Sequence, residues 1–195
     1  MAPNKGYIRQ AWLVLALAAC FGGALAGVQA SLSGRIAENR LSDTMSQVPA
    51  LVSGAVRGEP DKSFGELTVY RALDASGRQV GWVLSARGQG FADVVQLLIG
   101  LDAEARTVTG LYVLDQKETP GLGARIAETA WRGQFVGQST AKPLEVVKSA
   151  PAAKGRIQAV TGATISSESV TGIVNAAVAH FRQVLAAAGE KQANG

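Results

Sequence analysis

Cysteine and histidine are almost missing from this chain of 195 residues, which holds one of each. The lone Cys20 excludes an intramolecular disulfide, a cysteine-built metal cluster and an iron–sulfur centre. With His180 as the only imidazole, a transition-metal site and a Ser-His-Asp triad both lack parts. No Gly-x-Ser-x-Gly elbow is present to hold up a nucleophile, and there is no nicotinamide fingerprint. We therefore assign neither a metal ligand nor a catalytic residue. Aromatic residues make up only 6%, so the core must rest on Val, Leu, Ile and Ala. No basic stripe with interleaved aromatics occurs, which argues against nucleic acid as a partner. The formal charge is +4. Lys5 and Arg9 supply part of that excess from ahead of the apolar run.

That run, residues 11–28, carries no charge and includes Trp12, Leu13, Val14, Leu15, Phe21 and Leu25 among alanines. A membrane span needs about 20 apolar residues. With Lys5 and Arg9 in front, the positive-inside rule puts residues 1–10 in the cytoplasm and the rest across the membrane, periplasmic or extracellular. Two other readings stay open. Val28-Gln29-Ala30 resembles a signal cleavage site, and Leu17-Ala18-Ala19-Cys20 resembles a lipoprotein site. All three readings place the following domain on the same side of a bacterial inner membrane.

Residues 29–65 read as a linker: a helix that stops before Pro49, then a loop rich in Gly and Pro. Residues 66–188 read as one domain. Strands are expected at 66–73 and 78–85 across the hairpin loop 74–77, and at 94–102 and 107–116 across 103–106. A short helix is expected at 122–130, with two last strands at 144–148 and 156–160. A final helix over about 167–187 buries Val170, Ile173, Val174, Ala177, Val178, Phe181 and Leu185. Residues 189–195 read as a frayed polar tail. The fold class is α+β, with a single N-terminal transmembrane helix, an antiparallel sheet and a long C-terminal helix.

Two segments carry chemistry. Thr161-Gly162-Ala163-Thr164 runs from a strand into a helix start, with Ser166 and Ser167 close behind. A glycine turn feeding a helix start suits a phosphate, since unpaired backbone N–H groups and the helix dipole converge there. Its ordinary reading is a turn with Ser166 or Ser167 as the helix cap. The second segment is Lys117-Glu118-Thr119-Pro120-Gly121-Leu122-Gly123. Its ordinary reading is a turn with Pro120 as the first helical residue. Gly88-Gln89-Gly90-Phe91 reads first as a glycine loop between strands, while Trp131 and Phe135 read as core and His180 as an exposed helix residue.

Together the two segments resemble the FMN-binding domain found in the G subunit of the Rnf electron transport complex and the C subunit of the Na+-translocating NADH:quinone reductase. There the pattern is roughly Asp-x-x-Ser/Thr-Gly-Ala-Thr, and its last threonine, here Thr164, carries FMN through a phosphoester. The Glu-Thr-Pro-Gly-Leu-Gly segment of the same subunits matches Glu118 to Gly123. The family's leading Asp falls on Gln158. The resemblance implies covalent FMN on Thr164, a cofactor site built from Thr161, Gly162, Ala163, Thr164, Glu118, Thr119, Gly121 and Leu122, and a flavin transferase that attaches the cofactor. It also implies other membrane subunits of an Rnf-type ion-translocating complex as partners, in contact with membrane lipid. On this reading the chain passes electrons and holds no complete active site alone. A membrane-anchored FMN protein with a regulatory or sensory role is the alternative; a plain binding module, its tetrad a mere turn, is a third.

Overall fold

The protein is described by a computed structural model covering residues 5–65 and 67–193. Glu66, at the head of the first expected strand, lies outside the described residues. So do residues 1–4, the last two positions of the expected tail, and the side chains of Lys5 and Arg9. The chain divides into two compact units, Met1–Asp43 and Thr44–Gly195.

The first unit is helical. Helix α1 is Lys5–Leu51, and its last turns belong to the second unit. Trp12, Leu13, Leu15, Phe21 and Leu25 are all exposed. The helix holds an eighteen-residue window of mean hydropathy 2.1, long and apolar enough to cross a membrane. A helix that is apolar all round needs a solvent of lipid or protein, which points to a membrane-anchored chain.

α1 does not stop before Pro49; it runs through that residue to Leu51. Proline inside a helix costs about 3 kcal/mol. Val48, Leu51 and Val52 are at most 3% exposed, packed on Tyr70, Ala72, Val83 and Leu98. Burial of side chains of this size contributes about 1.5–3 kcal/mol each, so packing outweighs the proline.

The second unit is built on a sheet of five antiparallel strands in sequential order. Its first strand, β1 (Arg57–Asp61), lies where the sequence suggested only loop. Two features hid it. Pro60 is tolerated because β1 is an edge strand. Gly58 is needed because a Cβ there would come within 2.8 Å of Val48 Cγ2 and 3.1 Å of Met45 Sδ. β2 (Thr68–Leu73) and β3 (Gln79–Gln89) follow as the expected hairpin. Its loop is organised by Asp74, which accepts from Ser76 Oγ (2.6 Å) and the amides of Ser76 and Arg78 (2.8 and 2.9 Å). The Ser76 hydroxyl first, and then the Arg78 amide, hold its carboxyl down to about 2.

β4 (Val94–Asp102) and β5 (Val108–Asp115) complete the sheet close to their expected bounds. Val69, Trp82, Leu84, Leu97 and Ile99 on one face pack with Val170, Val174, Val178 and Phe181 of α3 (Thr164–Ala193). Tyr70, Ala72, Val83 and Leu98 form the opposite face. Being covered on both sides, β4 reads as a continuous apolar run instead of an alternating one. Phe64, Trp82 and Phe181 meet with ring centroids 5.0–5.4 Å apart.

The expected helix at 122–130 is divided into a 3₁₀ segment, Gly123–Ala127, and one turn of α-helix, α2 (Thr129–Arg132). The last two strands, β6 (Glu145–Val147) and β7 (Arg156–Gln158), do not join the antiparallel sheet; they pair with each other in parallel. The free edge of β5 is already taken at its start. Val108 N–H donates to Gln138 O and Gly137 N–H to Val108 O, at 2.9 and 2.8 Å. The architecture is α+β, as the sequence suggested.

Candidate cofactor site

Two glycine turns meet at the N-terminus of α3. In residues 119–122, Leu122 N–H donates to Thr119 O at 3.2 Å. Pro120 and Gly121 are the central residues, with Gly121 at φ 75°. Proline first and a left-handed glycine second is what a type II turn requires. Pro120 is therefore a turn residue and not the first residue of a helix; helical geometry begins at Gly123. In residues 160–163, Ala163 N–H donates to Val160 O at 2.9 Å, and Gly162 takes the left-handed position at φ 81°. A Cβ on Gly162 would lie 3.0 Å from Leu122 Cδ2, so the two motifs touch.

α3 starts at Thr164, earlier than the expected Ser167. Neither Ser166 nor Ser167 is its cap; both lie inside the first turn. Ser167 Oγ donates to Ala163 O (2.9 Å) and accepts from Val160 N–H (3.0 Å), which stitches the glycine turn to the helix. Ser167 N–H, donating to Ala163 O at 3.1 Å, is the first backbone donor of the helix ladder. The amides of Thr164, Ile165 and Ser166 precede it and have no intrahelical acceptor, so they concentrate the positive end of the helix dipole here.

Glu118 ties this turn to a third segment. Its side chain is buried. Oε1 accepts from the amides of Phe91 (2.8 Å) and Ala92 (3.1 Å), and Oε2 accepts from Ser166 Oγ (2.7 Å). The glycines around it make room. A Cβ on Gly90 would collide with Oε1, and one on Gly123 would lie 2.7 Å from Oε2 and 2.8 Å from Ser166 Oγ. Gly88 and Gln89 of the expected glycine loop belong to β3, and the part that does turn, Gly90 to Asp93, is held by Glu118. At its far side Asp93 pairs with Lys117 at 3.1 Å. The Val94 amide, and then Lys117, hold the Asp93 carboxyl below its ordinary range.

A cavity of 340 Å³ opens between these segments. Of the eight residues chosen from sequence, Thr164, Gly162, Ala163, Glu118, Thr119 and Leu122 line it. Thr161 and Gly121 do not: Gly121 shapes its turn, and Thr161 is exposed beside the other. Phe91, Gly123, Ile165 and Ser166 line the cavity too. Ile165 and Ser166 follow from the earlier start of α3, which moves the first helical turn onto the motif. Phe91, Leu122 and Ile165 are 60%, 47% and 54% exposed, which makes an apolar rim.

A larger cavity, 720 Å³ between α3 and β2–β4, includes Arg87, Gly88 and His180 but no residue of the 117–123 or 161–164 segments. We place the site at the smaller cavity, because there the backbone donors, the threonine and the apolar rim converge. Trp131 and Phe135 belong to the core, with Trp131 Nε1 donating to Gln158 O at 2.8 Å. Gln158 is exposed and anchored through its backbone, its N–H donating to Gln134 Oε1 at 2.7 Å.

Residues 90–179 match the FMN-binding domain family. Every residue lining the cavity falls within that span. The chain resembles the G subunit of the ion-translocating oxidoreductase complex from Methanosarcina acetivorans, at 38% identity over 56% of this chain and 55% of that one. It also resembles the G subunit of the Pseudomonas aeruginosa complex, at 29% identity over 92% of this chain and 91% of that one. In the first relatives the match spans only about half of their length. The C subunit of the Na+-translocating NADH-quinone reductase from Parabacteroides distasonis shares the fold, with a TM-score of 0.56 at 22% identity, covering 74% of this chain and 83% of that one.

The residues present fit a flavin mononucleotide. The unpaired amides of α3 suit its phosphate. The rim of Phe91, Leu122 and Ile165 suits a flat apolar ring. The cavity volume falls at the low end of the ~300–1,000 Å³ of small-molecule sites, as expected where part of the ligand stays in solvent.

Proposed function

We propose that this chain is an electron-transfer subunit of a membrane-bound, Rnf-type ion-translocating oxidoreductase, and that it carries FMN as a phosphoester on Thr164. One observation carries the reading: Thr164 is the first residue of α3 and lines the cavity where the two motifs meet. Thr164 is the one threonine of the tetrad that lines the cavity, since Thr161 lies outside it.

Making the ester from free phosphate is unfavourable in water, so an anhydride donor, a flavin dinucleotide, and a flavin transferase are required. The Thr164 Oγ–P bond forms as the phosphoanhydride P–O bond breaks. A nucleoside monophosphate leaves, and the hydroxyl proton passes to solvent. The amides of Thr164, Ile165 and Ser166 would stabilise the negative charge of the phosphodiester. Leu122 and Phe91 would flank the ring, and backbone N–H groups of the 119–123 segment would orient its polar edge. Bound there, FMN supplies reversible electron transfer, which the chain's own side chains cannot perform. The exposed apolar rim would leave one ring edge open to a neighbouring subunit.

The relatives named above are subunits of ion-translocating complexes, and on that basis other membrane subunits supply electron input and ion movement. Lys5 and Arg9 before the apolar run support a non-cytoplasmic placement of the domain. A covalent tether suits that side, because a lost cofactor could not be replaced there. The full chain, produced with a flavin transferase, should exceed its sequence mass by one FMN less one water, and Thr164→Val should remove the increment. An unchanged increment in that variant refutes the attachment site.

A further inference from the structure

The Glu118 side chain has more to do than line the cavity. It is 4% exposed, and its three partners come from two separate places in the chain: the amides of Phe91 and Ala92, and the Ser166 hydroxyl. Its own backbone is fixed as well, the Glu118 N–H donating to Gln116 Oε1 at 2.6 Å. Ser166 stands two residues after Thr164, within the same helical turn. Ser167 holds that turn from the side of the glycine turn, and Ser166 holds it from the cavity side. First turns fray easily, because their amides have no ladder partners.

We propose that Glu118 is a positioning residue for the Thr164 hydroxyl, acting through Ser166. It fixes the first turn of α3 against the Phe91–Ala92 turn, so that the acceptor oxygen faces the cavity in one orientation. The proposal rests on Thr164 being the attachment residue. A group transfer to a threonine is sensitive to such placement, since a shift of about 1 Å costs on the order of a hundredfold in rate.

The hydrogen bonds distinguish tether from charge. In Glu118→Gln the remaining oxygen can still accept from Phe91 and Ala92, and the new amide can donate to Ser166 Oγ. Tether and shape survive while the charge is lost. Glu118→Ala removes the tether entirely. Ser166→Ala removes only the link to α3 and leaves the Phe91–Ala92 side intact.

The test uses the full chain in detergent, with a flavin transferase and a flavin dinucleotide, following attachment by intact mass. Glu118→Gln should load within about twofold of the parent, while Glu118→Ala and Ser166→Ala load roughly tenfold to a hundredfold more slowly. Ser166→Ala should keep its helix content and stay folded at the assay temperature, melting about 3–12 °C below the parent for the one bond lost. Before any loading, hydrogen exchange at the amides of Phe91 and Ala92 should accelerate in Glu118→Ala and not in Ser166→Ala.

Parent-like loading of Ser166→Ala overturns the proposal. So does Glu118→Gln loading as slowly as Glu118→Ala, which would make charge the cause. A Ser166→Ala chain that loses loading and fold together also overturns it, by showing a merely structural role. Should Glu118→Ala fail to fold, Ser166→Ala and Glu118→Gln decide. A parent that never loads, or a Thr164→Val variant that loads, strikes instead at the attachment site itself, and these outcomes are distinct from the others.

Discussion

Gly123→Ala is the smallest change that should break the site. Gly123 is not among the glycines with positive φ, so alanine has no backbone objection to the position. Space is the only cost. The new methyl would sit 2.7 Å from Glu118 Oε2, 2.8 Å from Ser166 Oγ and 3.0 Å from Glu118 Cβ. Ordinary carbon contacts lie near ~3.5–4.0 Å, so all three atoms must give way. Both oxygens belong to the 2.7 Å hydrogen bond that closes the site, and neither side chain is at a free surface. Overpacking of this kind costs about 1–3 kcal/mol. Pushing Ser166 off the carboxylate also removes a charge-assisted bond of about 1.5–3 kcal/mol. Taking only the middle of the first range, about 2 kcal/mol, melting should fall by about 4–8 °C for a domain of this size. The assay is a near-UV circular dichroism melt of the full chain in detergent. Gly133→Ala is the control: its φ is −58° and nothing lies within 4 Å of the added Cβ. It should be neutral or slightly stabilising. If the two variants melt together, the Glu118–Ser166 contact is not the tight junction described, and the reasoning about the site's glycines fails with it.

Gln158→Asp should leave the fold untouched, since Gln158 is exposed and held by its backbone, and flavin attachment should proceed at the parent rate or faster; slower attachment would show that the modifying enzyme reads Gln158 directly. Phe181→Ala, emptying a fully buried site between Phe64 and Trp82, should cost about 3–5 kcal/mol in a denaturant titration, and a loss under about 1 kcal/mol would mean that α3 is not anchored there. The Asp74 carboxyl is depressed to about 2 from 3.8, so its contribution to the hairpin is complete above the unfolded value and is lost as pH falls from about 4 toward 2. Asp74→Asn should flatten that part of the acid melt, and an NMR titration that finds the carboxyl near its ordinary value would refute the hydrogen-bond account.

The strands at the centre of the sheet were legible because their apolar content is high and their loops are short. β4 matched its expected range at both ends. What escaped the sequence was decided by partners remote in the chain. β1 carries Gly58 and Pro60, both loop residues by propensity, and becomes a strand because β2 offers an edge and α1 offers a surface. α1 passes Pro49 because three side chains beyond the reach of a local rule are buried. β6 and β7 were found as strands, but not their parallel pairing with each other, and the start of the β5 edge is taken by the 137–138 segment. At the site, the motifs gave six of the cavity residues directly. Thr161 and Gly121 belong to the same motifs and serve the turns instead. A motif names a chain segment; which of its side chains face a cavity depends on turn geometry that propensity does not specify.

Leu122 offers the sharpest test of that geometry. It is 47% exposed, lines the cavity and touches the Gly162 turn, so any flavin ring tethered from Thr164 must pass close to it. Leu122→Glu puts a negative charge on the rim without disturbing Glu118 or Ser166, and attachment at Thr164 should survive. A negative charge opposes the uptake of electrons, so the midpoint potential should fall, and the shift should shrink as salt screens the exposed carboxylate. A redox titration of the loaded full chain at low and high salt reads both effects. A variant that keeps its flavin and an unmoved potential at low salt would show that the ring does not lie over the 119–123 turn, and the apolar rim would then need another occupant.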